Sequence, residues 1–324
     1  MRKLLFGLAA GALALSTLPA LAADPVTLQL KWVTQAQFAG YYVAKDKGFY
    51  TEENIDITIK PGSPDISPEQ VLAGGGADVA VAWMGGALAA RDQGAPLVNI
   101  AQPYKRSGLL MVCPADGPVQ TEADFPGKTL GVWFFGNEYP FMAWMNKLGL
   151  STEGGADGVT VLKQNFDVSA LIDGQADCIS VMTYNELKQA ADAGFTADKL
   201  VIFNYSEMDN DLLEDGLYVM EDKLADPAFK DKMVRFVRAS MKGWQYAIEN
   251  PDEAAEIILE NDESGAQILE NQIYMMSEVG KLIDVTDPAL DLSAYERTEK
   301  ALLDQAIIGK QPTGAYTTEI TDAL

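Results

Sequence analysis

A chain of 324 residues, 48% apolar and 22% charged, is long enough to build more than one hydrophobic core. Its formal net charge of −23, from 24 basic and 47 acidic residues, excludes the basic footprint that nucleic acid requires and implies a strongly solvated surface. Histidine is absent altogether, which excludes Ser-His-Asp and Cys-His nucleophiles and histidine metal sites.

The chain opens with Arg2 and Lys3, an apolar run over residues 4–18, and small residues Ala20 and Ala22 on either side of Leu21. That order predicts a secretory leader over residues 1–22. The apolar run is shorter than the ~20 residues that cross a bilayer comfortably. No cysteine stands at the cleavage point to take a lipid, so the mature protein is expected to diffuse freely in a periplasm. Cys113 and Cys178 remain after export; two buried thiols are expected, with a disulfide open as the alternative.

Residues 26–31 alternate apolar and polar and predict a first strand, and a helix over 38–47 ends at Gly48. A second strand covers 55–59, a turn follows at Pro61 and Gly62, residues 68–73 are helical, and 78–83 form a third strand. Strand and helix in alternation predict a parallel sheet with right-handed crossovers. The alternation restarts with strands over 109–112, 128–134, 159–162, 178–182 and 201–204, and helices over 140–148, 168–172 and 185–193. The acidic stretch 207–215 reads as an irregular return crossing. From Pro227 onward the pattern is helical, with Met233, Phe236, Val237, Met241, Trp244 and Ile248 on one face, and Pro251 opens the next helix.

This order predicts an α/β protein of two lobes. Residues 23–107 and 206–324 build the first and 108–205 the second, and two crossings form a hinge beside a ligand cleft. Gly74, Gly75 and Gly76 follow a helix and precede a strand, the reverse of a phosphate cradle, so they read as a helix stop.

Ligand groups in an open α/β lobe come from the carboxyl ends of strands. Four such ends hold the candidates: Trp32, Gln35 and Gln37, with Tyr41 on the helix beyond; Trp83 and Met84; Phe134, Phe135, Asn137 and Glu138; and Tyr184, Asn185 and Glu186. Aromatic faces, amides and carboxylates with Lys31 as the one cation suit a neutral or cationic nitrogen heteroaromatic, stacked and hydrogen-bonded at its edge. Anionic ligands would call for arginine or a bare helix N-terminus, and Gly136 with Asn137 could supply only the latter.

The pieces Leu30-Lys31-Trp32, Gly40-Tyr41-Tyr42-Val43-Ala44-Lys45, Lys47-Gly48-Phe49-Tyr50, Gly75-Gly76-Ala77-Asp78-Val79-Ala80, Asp124-Phe125-Pro126-Gly127-Lys128, Tyr184-Asn185-Glu186 and Lys242-Gly243-Trp244 run in order along most of the mature chain. In that order and spacing they resemble the thiamine-pyrimidine-synthase-like periplasmic binding proteins of ABC importers. The resemblance implies a type II periplasmic binding fold that closes on its ligand. It implies a ring stacked on Trp32, and Asn185 and Glu186 facing the ligand. The synthase branch of the family carries a cysteine-rich motif and a histidine that this chain lacks, which argues against an enzyme.

The expected function is therefore the periplasmic solute-binding component of an ABC transporter for a nitrogen heteroaromatic, a thiamine-precursor pyrimidine. The alternatives are riboflavin, a sulfonate or nitrate as ligand, or a sensing role. No cofactor or metal is expected. The expected partners are the small molecule and the permease subunits of the inner membrane, with no nucleic acid and a monomeric state.

Overall fold

The computed structural model describes residues 22–324 apart from Pro64, Phe135 and Asp209. The predicted leader thus lies, but for Ala22, outside the described residues. In chain order the elements are β1 (Asp24–Gln29), α1 (Ala39–Asp46), α2 (Phe49–Glu52), β2 (Ile55–Lys60), α3 (Pro68–Ala73), β3 (Val79–Ala82), α4 (Met84–Asp92) and β4 (Leu97–Ala101). Then come β5 (Leu109–Pro114), β6 (Thr129–Val132), α5 (Tyr139–Leu148), β7 (Thr160–Lys163), α6 (Ser169–Ile172), β8 (Cys178–Met182), α7 (Glu186–Asp192) and β9 (Leu200–Asn204). The chain ends with β10 (Gly216–Met220), α8 (Pro227–Glu249), α9 (Pro251–Asn261), α10 (Leu269–Val279) and α11 (Leu292–Asp304).

These strands form two five-stranded sheets of matching topology, ordered β2-β1-β3-β10-β4 and β7-β6-β8-β5-β9. The expectation of a parallel sheet is modified by one antiparallel strand in each. β10 runs antiparallel to β3 and β4, and β5 runs antiparallel to β8 and β9. Both strands arrive straight from the other sheet, without the dozen-residue crossover that parallel pairing needs. The central strands β3 and β8 are buried at every residue, because helices cover both faces. β4 is an edge strand and equally buried, since the C-terminal segment pairs with it: Asn99 N donates to Ala315 O at 2.8 Å and Thr317 N to Asn99 O at 3.0 Å.

The helices obey local rules. Ser67 accepts from Gln70 N to cap α3, Asp226 accepts from Ala228 N to cap α8, and a proline opens α3, α8 and α9. α1 crosses α8 at two glycines, where a Cβ on Gly40 would overlap the Trp244 indole and one on Gly243 the backbone of Gly40.

The two passages between the sheets, residues 102–108 and 205–215, lie side by side. Ser107 N donates to Asp211 Oδ1 at 2.9 Å, Gly108 N to Glu214 Oε1 at 3.0 Å, and Ser206 Oγ to Ser107 O at 3.2 Å, while Ser107 Oγ donates to Glu214 Oε1. Side chains of one crossing thereby lace it to the other.

The two cysteines correct the expectation of free thiols. Cys113 and Cys178 stand opposite each other, one step beyond the Val112–Ile179 pair of β5 and β8, and form a disulfide with Cα atoms 4.2 Å apart. Neighbouring antiparallel strands bring two Cβ atoms to bonding distance, a register that a separation of 65 residues conceals in the sequence.

Candidate functional site

A narrow pocket with about 40 Å³ of open space lies between the sheets, room for a few waters and less than a bound ring fills, so a ligand has to part its walls. Its wall is Lys31, Trp32, Gln35, Gln37 and Trp83 from the first lobe, and Trp133, Asn137, Met182, Tyr184, Asn185 and Glu186 from the second. These residues follow the carboxyl ends of β1, β3, β6 and β8, where the peptide groups are no longer spent on the sheet.

The turn after β1 is held rigidly. Trp32 O accepts from Gly62 N at 2.7 Å, and any Cβ at Gly62 would crowd the Leu30 and Lys31 carbonyls. Ala36 N donates to Gln272 Oε1 of α10 at 2.7 Å, and Tyr104 OH donates to Gln37 O at 2.8 Å. Gln35 Nε2 donates to Gln37 Oε1 at 2.7 Å, and Gln37 Nε2 in turn donates to Asp215 Oδ2 at 2.7 Å. The amides facing the pocket are therefore oriented by a buried chain of bonds that ends where the second crossing enters β10.

Lys31 is 5% exposed, and its Nζ stands 5.1 Å from the centre of the Trp83 ring. On the facing lobe, Trp133 Nε1 donates to Asn165 O at 2.9 Å and Asn137 Nδ2 to Phe134 O at 2.7 Å. Glu186 Oε2 accepts from Met182 N at 3.0 Å, and its Oε1 accepts from Asn185 Nδ2 at 2.7 Å. A carboxylate offers about four lone-pair positions. Met182 N, the Asn185 amide and the residue's own backbone N–H all turn to it, which leaves about one position for a further partner.

Burial lifts three carboxyls here. Loss of hydration raises Glu186 to about 7 against the opposing bonds from Met182 and Asn185. It raises Asp215 to about 6 against Gln37, Lys31 and Trp83, and Glu214, at the laced crossings, to about 8 against Ser107 and Gly108. An acid raised in the fold stabilises it fully below its ordinary value near 4, and that stabilisation is lost as pH rises through the raised values. Melting of the ligand-free protein is therefore expected to be highest near pH 5 and to fall toward pH 9, with Glu214→Gln flattening the slope. A variant with the wild-type slope would show that Glu214 titrates as if in water.

Of the thirteen residues expected from sequence, Trp32, Gln35, Gln37, Trp83, Asn137, Tyr184, Asn185 and Glu186 meet around this pocket. Phe135 lies outside the described residues. Four others stand elsewhere. Tyr41, 1% exposed, sits in the core edge-on to Trp244, because its position on α1 faces α8. Met84 is fully buried, with its sulfur 3.3 Å from Tyr218 OH. Phe134 and Glu138 line a separate groove with Glu69 and Tyr139, and Glu138 accepts from Gly136 N at 2.7 Å. The cause is register: β6 ends at Val132, sooner than the strand expected to residue 134, so Trp133 takes the pocket position assigned to Phe134. Met182, the last residue of β8, escapes sequence reasoning because the expected ligand groups stand beyond the strand ends, and Lys31 stands in the sequence only as the one cation of the lining.

The sequence pattern described as NMT1/THI5 like matches residues 35–254, more than half the chain. The protein belongs to the NMT1/THI5-like family. This family member is 25% identical over 248 residues to the formylaminopyrimidine-binding protein of Halalkalibacterium halodurans, covering 75% of this chain and 72% of that one. It is 29% identical over 244 residues to the riboflavin-binding protein of Chloroflexus aurantiacus, covering 72% and 66%. Among solved structures, the ligand-binding component of an ABC-type import system from Staphylococcus aureus superposes with a TM-score of 0.67 at 11% identity, over 92% of this chain and 98% of that one. A Candida albicans protein exhibiting the generic periplasmic binding protein fold gives 0.64 at 16%, over 91% and 96%. The NMT1/THI5-like chain thus has the periplasmic binding fold, two α/β lobes about a cleft. A desulfurization enzyme shares that fold at a TM-score of 0.57 and 12% identity over 93% and 98%, so the fold serves both binding and catalysis. Among the described residues no group of three or more acidic or cysteine side chains could hold a metal, and no helix is long and apolar enough to cross a membrane.

Proposed function

We propose that this protein is a solute-binding component of an ABC importer, exported to the periplasm by residues 1–22, that captures a nitrogen heteroaromatic of the aminopyrimidine class and hands it to a membrane permease without chemical change. Residues 23–107 with 206–324, and 108–205, act as the closing lobes, a division supported by the strand order. The observation that carries the reading is the pocket wall, which brings Trp32, Trp83 and Trp133 together with one carboxyl, Glu186.

Tryptophan faces suit a flat ring, while a carboxyl at the ring's edge matches an amino group beside a ring nitrogen. The Halalkalibacterium relative is named for binding a formylaminopyrimidine, a ring of this class. The chain has no histidine and the pocket no serine or cysteine, so the site holds neither an imidazole base nor a serine or cysteine nucleophile.

Titration of the purified protein with formylaminopyrimidine, riboflavin, taurine and nitrate, followed by tryptophan fluorescence, tests the reading. Binding of the heteroaromatic is expected; binding of the anions alone would overturn the assignment. Trp32→Ala is expected to weaken formylaminopyrimidine binding about tenfold, the worth of a lost stacking partner with its buried area. Equal affinity in that variant would remove Trp32 from the residues that touch the ligand.

A further inference from the structure

One aromatic contact joins the lobes at the pocket wall. The ring of Phe166, in the loop after β7, stands with its centre 4.5 Å from that of Trp32, at an interplanar angle of 71°. Both side chains are half-buried, whereas the pocket wall behind them, apart from Asn185, is buried. An edge-to-face pair at this spacing is attractive in its own right.

The loop that carries Phe166 is anchored to the second lobe at two strands, β8 and β6. Gln164, 3% exposed, donates through Nε2 to Ser180 O at 2.8 Å and accepts through Oε1 from Ser180 N at 2.9 Å, which pins it to the middle of β8. Its backbone N donates to Val132 O at 3.2 Å. The next residue, Asn165, offers the carbonyl that fixes the Trp133 indole. Phe166 therefore cannot drift independently: its loop holds one pocket tryptophan and its ring covers another.

We propose that Phe166 is a positioning and specificity-determining residue that closes the cleft over Trp32 and limits the ligand to a single heteroaromatic ring. This rests on the proposed function. With about 40 Å³ open behind the Trp32–Phe166 contact, a single ring demands the least parting of the walls, whereas a fused three-ring flavin with its polyol chain has to separate the two aromatics. Removing the Phe166 ring abolishes that contact while leaving every hydrogen bond of the pocket in place.

The test compares wild type, Phe166→Ala and Phe166→Leu with formylaminopyrimidine and riboflavin as probes, by fluorescence titration and stopped-flow. Wild type is expected to bind formylaminopyrimidine and to hold riboflavin at least about a hundredfold more weakly. Phe166→Ala is expected to release formylaminopyrimidine about tenfold faster with an unchanged association rate, since a cover that forms only after docking governs the dissociation rate. It is also expected to gain riboflavin affinity about tenfold, because the aromatic pair no longer has to be broken to admit the larger ring system. Phe166→Leu keeps an apolar cover, lies between the two, and serves alone if the alanine variant does not fold. Equal release rates in the variants and wild type, or riboflavin bound as tightly by wild type as by the variants, would overturn the proposal and leave the aminopyrimidine reading standing. Wild type that binds neither probe would overturn that reading, and the role of Phe166 with it.

Discussion

Replacing Glu186 with alanine is expected to weaken aminopyrimidine binding by a hundredfold or more. Truncating one partner of a buried, hydrogen-bonded charged pair costs about 2–5 kcal/mol, more than the loss of a stacking face. The variant would also leave Met182 N and the Asn185 amide without the acceptor they now share, and Asn185 would turn away from the site. Glu186→Gln separates charge from shape. An amino group and ring nitrogen paired with a carboxyl need one proton between them, and Glu186, raised to about 7 by burial, carries that proton below neutrality. Wild-type affinity is therefore expected to hold up to about pH 7 and to weaken above it, by at most about tenfold per pH unit. Glutamine, which offers one acceptor and one donor at the same edge, is expected to bind with little pH dependence. Calorimetric titration from pH 6 to pH 9 checks both; alanine and wild type within threefold of each other would exclude Glu186 from the ligand's edge.

Removing the disulfide is the change with the largest expected effect on stability. A bond that closes a loop of 65 residues restricts the unfolded chain by about 4 kcal/mol on the chain-entropy account. For a chain of this length melting as one unit, that is a drop of roughly 6 °C in Tm. Cys113 and Cys178 are both fully buried, so a reductant reaches them slowly in the native protein. The double variant Cys113→Ala with Cys178→Ala is the cleaner comparison. Ligand affinity should change little, because neither sulfur lines the pocket. A variant that melts with wild type would contradict the linkage.

The strand ends that frame the site are legible because alternation fixes where strands lie, and the topology rule then names the end that faces a ligand. What alternation does not fix is the last residue of a strand. One misplaced boundary moves the expected aromatic from Trp133 to Phe134, which is 38% exposed in a different groove. β10 is hidden because Gly216–Met220 follows an acidic irregular stretch without a helix to announce a sheet strand. Tyr41 and Met84 are neighbours of the site in sequence, whereas helical rotation turns one toward α8 and the other toward Tyr218. The disulfide and Phe166 depend on which distant segments lie side by side, information that no local pattern holds.

The laced crossings bear on how such a molecule can be read from outside. With Ser107, Gly108 and Ser206 bonded across to Asp211, Glu214 and the facing backbone, the halves are expected to resist sliding past one another and to turn chiefly about a single line, as covers do about a spine. Points remote from that spine then travel furthest for a given angle. A pair of dyes at two outlying positions would convert occupancy of the site into a change in energy transfer without touching any group that meets the cargo.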